Sequence, residues 1–180
     1  MKQPIPDFAA SPMEEQYKAL VAAFDYFNRK LFNGILPRCI ISFSRFFKMT
    51  SGYSIPERWH RANEQGQAVA VHEICLSPSL LLKDPIDLFA KLVHEMVHIW
   101  QWDYGNPSRN GYHNKEWARK MEAIGLMPSH TGEPDGKKTG QTMDQYVLDN
   151  GLFKNAVEQM PDGLAGAFVQ KVTLLTFVTY

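Results

Sequence analysis

The stretch KLVHEMVHIWQW, residues 91 to 102, sets two histidines four residues apart, with a glutamate directly after the first. Apolar residues surround these polar ones on nearly all sides, which predicts a buried helix. Three ionisable groups in such a helix are costly unless a metal or a partner group compensates them. A core helix with satisfied polar residues is the alternative, and the metal-holding interpretation is favoured.

The spacing of this motif suits a metal-dependent hydrolase. Residues four apart lie on the same face of a helix, so His94 and His98 can each turn an imidazole nitrogen toward one ion. Zinc favours nitrogen ligands, at roughly 2.0–2.1 Å in a tetrahedral arrangement. Glu95 is offset by about 100° around the helix and can reach a water beside the metal. The pattern therefore predicts Zn2+ as cofactor and Glu95 as the catalytic base.

A catalytic zinc needs a third protein ligand and one open position. The downstream candidates are Asp103, His113, Glu116 and Glu122. Gln101 and Tyr104 stand where the extended metzincin motif requires glycine and histidine, which excludes that class. In a thermolysin-like site the third ligand is a glutamate on the next helix, and Glu116 is the nearest candidate. His113 is favoured because it follows a turn-rich loop and opens the next predicted helix, and a solvent-facing histidine there is the alternative.

Two segments carry a resemblance to a known family. LFAKLVHEMVHIWQW (88–102), followed by GYHNKEWARKMEAIGL (111–126), resembles the SprT-like zinc metallopeptidases, which include the DNA–protein crosslink protease Spartan. In that family HExxH is followed by a loop and a third histidine that opens the next helix, with an aromatic residue four positions on. His113 and Trp117 match this pattern. The segments 26–54, 70–81 and 139–153 also resemble the family, so the likeness covers about residues 13–153.

The resemblance implies a minimal zincin fold with one zinc held by His94, His98 and His113. It also implies peptide-bond hydrolysis with Glu95 as general base, a protein or peptide substrate, and often action on proteins near DNA. Many relatives carry a cysteine-rich zinc ribbon, for which the two cysteines Cys39 and Cys75 are too few. The alternatives are a non-catalytic, metal-containing module associated with nucleic acid, and a metallopeptidase unrelated to DNA.

The composition describes an ordinary globular protein of one main domain. The chain has 180 residues, 44% of them hydrophobic, and equal numbers of acidic and basic residues give a formal net charge of zero. That balance argues against a general polyanion binder. The beginning of the chain lacks the apolar segment of a signal peptide, and no apolar run has membrane-spanning length. We therefore expect a cytoplasmic protein without a membrane partner. If it acts on DNA, we expect it to be associated with the nucleoid. The sequence predicts no particular oligomeric state.

Residues 29–61 are a candidate contact for single-stranded DNA. They contain seven lysines and arginines against one acidic residue, with aromatic residues between them. Charges that follow phosphates and rings that stack on bases suit single strands, and Arg45, Lys48 and Trp59 are the candidate contacts. An ordinary solvated face over core aromatics is the alternative, and the neutral overall charge favours it.

Two further features near the motif are candidates for substrate contacts. Tyr112, beside the third ligand, could stabilise the oxyanion of a tetrahedral intermediate, and burial of its ring is the alternative. The predicted strand from Ala68 to Leu76 could line the cleft and pair with an extended peptide. His72 in that strand is interpreted as structural.

The periodicity predicts an α+β fold: a long N-terminal helix and a small, mostly antiparallel sheet beside the active-site helix, which a second helix follows. Helices are expected from Met13 to about residue 32, over 85–104, 113–125 and near 152–160. Strands are expected over 38–47, 51–55, 68–77, near 144–149 and at 171–180, with loops over 56–67 and 127–141. Residues 1–12 form an extended tail, 13–153 the zincin-like domain, and 154–180 a C-terminal segment packed on it without a zinc ribbon.

Overall fold

The computed structural model describes residues 12–44 and 52–167. The helices are α1 (Pro12–Leu31), α2 (Pro85–Tyr104), α3 (Lys115–Ile124), α4 (Leu152–Glu158) and α5 (Asp162–Gly166). The strands are β1 (Ile40–Phe43), β2 (Tyr53–Ala62), β3 (Ala68–Leu76), β4 (Leu126–Ser129) and β5 (Asp144–Val147). The predicted tail, the strand at 171–180, and Arg45 and Lys48 lie outside the described residues. No described helix is long and apolar enough to cross a membrane.

Helix α2 occupies the centre of the fold. Asp84 caps its first turn by accepting a hydrogen bond from the Ile86 N–H, and Pro85 suits the first position. Residues are buried on nearly every face of the helix, because α1, α3 and strand β3 pack around it. Phe27 of α1 lies between Phe89 of α2 and Phe153 of α4, with ring centroids 5.5 and 5.7 Å away. Burying each such ring contributes roughly 1.5–3 kcal/mol, so α2 is fixed firmly.

The strands form two sheets rather than the single one predicted. In the first, the order is β1-β3-β2, with β1 parallel and β2 antiparallel to β3. In the second, β4 and β5 pair antiparallel. Two of these three pairings are antiparallel, and the α+β, zincin-like fold class is confirmed.

Strand β3 cannot receive a substrate at the cleft, so that prediction is wrong. Residues 73–76 pair with β1, and residues 73–75 pair with the first residues of β2. Both sides of β3 are therefore occupied there by backbone hydrogen bonds. The edge strands of this sheet are β1 and β2, and the first residues of β2 line the cleft.

The polar stretch 56–67 was predicted as a loop, and this prediction is also wrong over most of its length. Strand β2 continues through Ala62, with a bulge between Ile55 and Trp59 where Glu57 takes a positive φ of 53°. The hairpin then turns over 63–67, where the Asn63 side chain accepts hydrogen bonds from the backbone of Gln65 and Gln67. Pairing with β3 overrides the weak strand propensity of these residues. The predicted loop 127–141 likewise begins with strand β4.

Gly125, which ends α3, supplies a stability test. It has φ +91°, and a Cβ there would lie 2.6 Å from the Gly151 Cα. Gly66 has φ +75°, with no atom within 4 Å of its Cβ position. We expect Gly66→Ala to lower the free energy of unfolding by about 1–2 kcal/mol for its left-handed backbone alone. Gly125→Ala should cost about 1–3 kcal/mol more, because the new methyl overpacks against Gly151. Denaturant unfolding measures both, and equal losses would contradict the close approach.

Candidate metal centre

Three histidines from two neighbouring parts of the chain converge on one point. His94 and His98 lie one turn apart on α2, and His113 lies just before α3, where it forms a backbone bridge with Gly140. The His113 Nε2 is 3.2 Å from the His94 Nε2 and 3.0 Å from the His98 Nε2. The three ligand atoms all lie within 4.8 Å of one another. The structure thus brings together the three residues that the sequence predicted.

The hydrogen bonds of the rings show that this donor set suits a cation. The His113 Nδ1 donates to the Gly140 carbonyl at 3.1 Å, and the His94 Nδ1 donates to the Gln145 Oε1 at 2.7 Å. In the neutral rings the Nε2 atoms of His94 and His113 therefore carry lone pairs, which face each other at 3.2 Å and repel unless a cation lies between them. Two nitrogen ligands of one tetrahedral zinc are roughly 3.3 Å apart. The three histidines could bind a metal ion, and their spacing fits zinc.

Burial keeps these imidazoles in the neutral form that binds metal. It lowers the pKa of His94 well below the ordinary value, and the positive charge that His98, Lys91 or His113 can carry adds to the effect. Burial, and then His113, lower the pKa of His98 to about 3. Burial also lowers the pKa of His113. A lower pKa means that protons compete less with a metal ion for the imidazole nitrogens.

Glu95 lies in the same cleft as the three imidazoles. The cleft has a volume of about 310 Å³ and is lined by Gly52, Tyr53, Ser54, His94, Glu95, His98, Gly111, His113, Gln141, Thr142 and Met143. Burial raises the pKa of Glu95 to about 7, while a hydrogen bond from the Ser54 side chain and the charge of Lys91 act in the opposite direction. A Cβ at position 52 would lie 2.8 Å from the Cys75 carbonyl oxygen, so glycine there allows the backbone to pass close to β3 at the side of the cleft.

Trp117 packs beneath all three rings. Its ring centroid lies 4.9 Å from His94, 5.5 Å from His98 and 4.3 Å from His113. The side chain is fully buried, and its Nε1 has no hydrogen-bond partner within the described residues. The tryptophan therefore acts through ring packing, which restricts the orientation of the imidazoles.

The other candidate ligands are engaged elsewhere. Asp103 pairs with the His72 Nε2 at 3.3 Å, which agrees with a structural His72. Glu116 accepts from the Asn106 N–H at 2.6 Å and from the Gln101 side chain at 2.7 Å, so it holds the loop after α2. Glu122 pairs with Lys138 at 2.8 Å. His113 is the downstream candidate that reaches the other two histidines.

Tyr112 and Trp59 do not line the cleft that holds the three histidines. Tyr112 is 43% exposed and lines a neighbouring depression with Ser108, Arg109 and Gln141. Its role as an oxyanion stabiliser stays a prediction. Trp59 is 46% exposed on β2, and its indole N–H donates to Glu73. Its contact with DNA also stays a prediction.

Sequence reasoning missed the residues that hold the ligands in place. Gln145 and Gly140 bind the outer nitrogens of two histidines, Ser54 binds Glu95, and Lys91 forms a 2.7 Å ion pair with Asp144. The stretch DQYVLD shows a strand pattern only. Nothing in its local spacing connects it to a histidine 51 residues earlier.

Comparison with known proteins agrees with this geometry. The model of the SprT-like family matches residues 20–137. This chain belongs to the SprT-like family. An uncharacterized protein in the mucB 3′ region of Salmonella typhimurium is 40% identical over 58 residues, which cover 26% of this chain and 78% of that protein. No solved structure matches the chain. The SprT-like match spans α1 to the loop after β4, and it includes the three histidines and Glu95.

The choice of third ligand can be tested by metal content. We expect His113→Ala to lose zinc on dialysis, because two histidines alone hold the ion weakly. Glu116→Gln should retain about one zinc per chain, since its side chain lies against Asn106 and Gln101. Elemental analysis of the purified variants measures both. Zinc loss from Glu116→Gln with retention in His113→Ala would reverse the assignment.

Proposed function

We propose that the protein is a zinc-dependent metalloendopeptidase. One observation carries the proposal: a buried carboxyl group, Glu95, shares a cleft with three convergent imidazoles. A structural zinc normally has four protein ligands, whereas a catalytic zinc has three and an open position. Three donors converge among the described residues, and the cleft beside them is large enough for a substrate. Membership of the SprT-like family supports the same activity.

In this mechanism His94, His98 and His113 hold the metal, and Glu95 moves the proton. Zinc, when bound, would polarise the scissile carbonyl and lower the pKa of water, so that a base can deprotonate the water for attack. The Glu95 carboxylate takes a proton from the attacking water and passes it to the nitrogen of the leaving amine. A pKa of about 7 suits a group that accepts and releases a proton near neutral pH. The Ser54 hydrogen bond orients the carboxylate during this transfer.

The walls of the cleft suit an extended peptide. Gly52, Tyr53 and Ser54, which lead into the edge strand β2, form one side, and Gln141 to Met143 form the other. An edge strand offers backbone N–H and C=O groups to which a peptide can add as a further strand. We propose that substrates bind along β2 in this way. A protein or peptide substrate fits this arrangement better than a small molecule.

Replacing Glu95 tests the chemistry. We expect Glu95→Gln to lower peptide hydrolysis by about 10²–10⁴-fold, because the amide cannot accept the proton. Its zinc content should stay the same, since the three imidazoles remain. The assay follows cleavage of a DNA-binding protein substrate on gels, with and without single-stranded DNA. Glu158→Gln, at an exposed position on α4, is the control variant and should cleave like the unmodified protein. Full activity in Glu95→Gln would exclude its role as base, and cleavage that ignores DNA would favour a peptidase unrelated to DNA.

The β2–β3 hairpin is the surface that we propose for single-stranded DNA. Arg58, Trp59 and Arg61 are exposed on β2, and the Arg58 guanidinium lies 5.8 Å from the centre of the Trp59 ring. The bond from the indole N–H to Glu73 holds the ring against the sheet, so it is ordered before it meets a base. Such a ring beside two arginines offers stacking together with phosphate contacts.

Two exposed tryptophans give a matched test of this surface. Trp59 is 46% exposed on the hairpin, and Trp102 is 44% exposed on α2. We expect Trp59→Ala to weaken binding of a labelled single-stranded oligonucleotide by about 5- to 100-fold, as the loss of one stacked base predicts. Trp102→Ala should leave the affinity unchanged. Fluorescence anisotropy at two salt concentrations measures both, and equal affinities for both variants and the unmodified protein would exclude the hairpin.

A further inference from the structure

We propose that Gln145 is the positioning residue for the metal ligand His94, an inference that rests on the metal centre proposed above. Its amide oxygen lies 2.7 Å from the His94 Nδ1, on the side of the ring away from the other histidines. His94 is only 3% exposed, so water does not replace this acceptor easily. By holding the proton on Nδ1, Gln145 leaves the Nε2 lone pair of His94 directed at the metal position.

The alternative tautomer shows why the acceptor matters. A neutral imidazole carries one proton, and a proton on Nε2 would remove the lone pair that the metal requires. In water the two tautomers interconvert readily, but here the Gln145 oxygen favours one of them and also fixes the ring plane. The hydrogen bond further raises the basicity of the ligand nitrogen.

An ion pair holds Gln145 in position. The Asp144 Oδ1 accepts from the Gln145 N–H at 2.8 Å and from the Lys91 Nζ at 2.7 Å. Lys91 is buried, and it lies on α2 three residues before His94. The helix that carries the ligand thus also fixes the strand that carries the ligand's partner. Lys91, Asp144, Gln145 and His94 form one continuous chain of contacts.

The outer nitrogen of His113 also has a hydrogen-bond acceptor, but this acceptor is a backbone carbonyl and not a side chain. The His113 Nδ1 bonds to the Gly140 carbonyl, which belongs to the backbone and is kept whatever side chain is present. Two of the three ligands therefore take their outer partners from residues 140–145. The SprT-like match ends at residue 137, so it does not include this segment. Gln145 is the part of the arrangement that a side-chain substitution can remove.

Zinc affinity tests the proposal directly. We expect Gln145→Leu and Gln145→Met, which lack an amide acceptor, to bind Zn2+ about 10- to 100-fold more weakly in a chelator competition. Gln145→Glu should bind as tightly as the unmodified protein or more tightly, because a carboxylate oxygen accepts the same bond. Gln65→Leu, an exposed position in the hairpin turn, is the control and should leave the affinity unchanged.

A second readout separates positioning from a general loss of structure. The visible spectrum of the Co2+-loaded protein reports ligand geometry, and we expect it to change in Gln145→Leu and to be restored in Gln145→Glu. If Gln145→Leu does not fold by circular dichroism, Gln145→Met and Gln145→Glu carry the test.

The outcomes are distinct. Unchanged Zn2+ affinity and an unchanged Co2+ spectrum in the variants without an acceptor would overturn the role of Gln145. Equal weakening in Gln145→Glu would overturn it as well. Failure of the unmodified protein to bind Zn2+ would instead refute the metal centre of the proposed function.

Discussion

The rest of the structure depends on the placement of two buried imidazoles, one half-buried imidazole and a buried carboxyl group around one helix. Polar groups removed from water are costly unless they are paired, and a charged group costs more. Here Gly140, Gln145 and Ser54 pair with His113, His94 and Glu95 respectively. The His113 Nε2 lies 3.2 Å from the His94 Nε2 and 3.0 Å from the His98 Nε2, an arrangement that a cation between them would stabilise. The helix, the second sheet and the loop before α3 are arranged around this requirement.

Packing explains how such an arrangement stays in place. The Trp117 ring contacts all three imidazoles, so a rotation of any ligand ring meets a fixed neighbour. This position of the indole lowers the stability of the fold, because a buried N–H without a partner among the described residues costs about 1–3 kcal/mol. On the opposite side of α2, Phe27 and Phe89 belong to the hydrophobic core. Packed elements on both sides of α2 therefore hold the three imidazoles in place.

Local pattern predicted which histidines converge, and it predicted their surroundings poorly. Helix α2 has an N-cap, a proline start and a helical apolar repeat, so its limits and the pair His94 and His98 follow from the sequence. His113 follows from the need for a third ligand. The length of β2 does not follow, because pairing with β3 decides it and residues 56–62 have little strand propensity of their own. Gln145 was missed for a related reason, since its bond to His94 spans 51 residues and leaves no periodic signal.

The ion pair between Lys91 and Asp144 links electrostatics to this architecture. Lys91 is a buried lysine three residues before His94, and its positive charge opposes the binding of a cation there. Burial is the largest cause of the lowered His94 pKa, the charge of His98 is the second, and the charge of Lys91 is the third. Asp144 lies 2.7 Å from the ammonium and balances this charge. Strand β5 thus contributes twice, by neutralising Lys91 and by supplying the acceptor for His94. The contacts that hold the three histidines therefore extend through residue 145, beyond the end of the SprT-like match at residue 137.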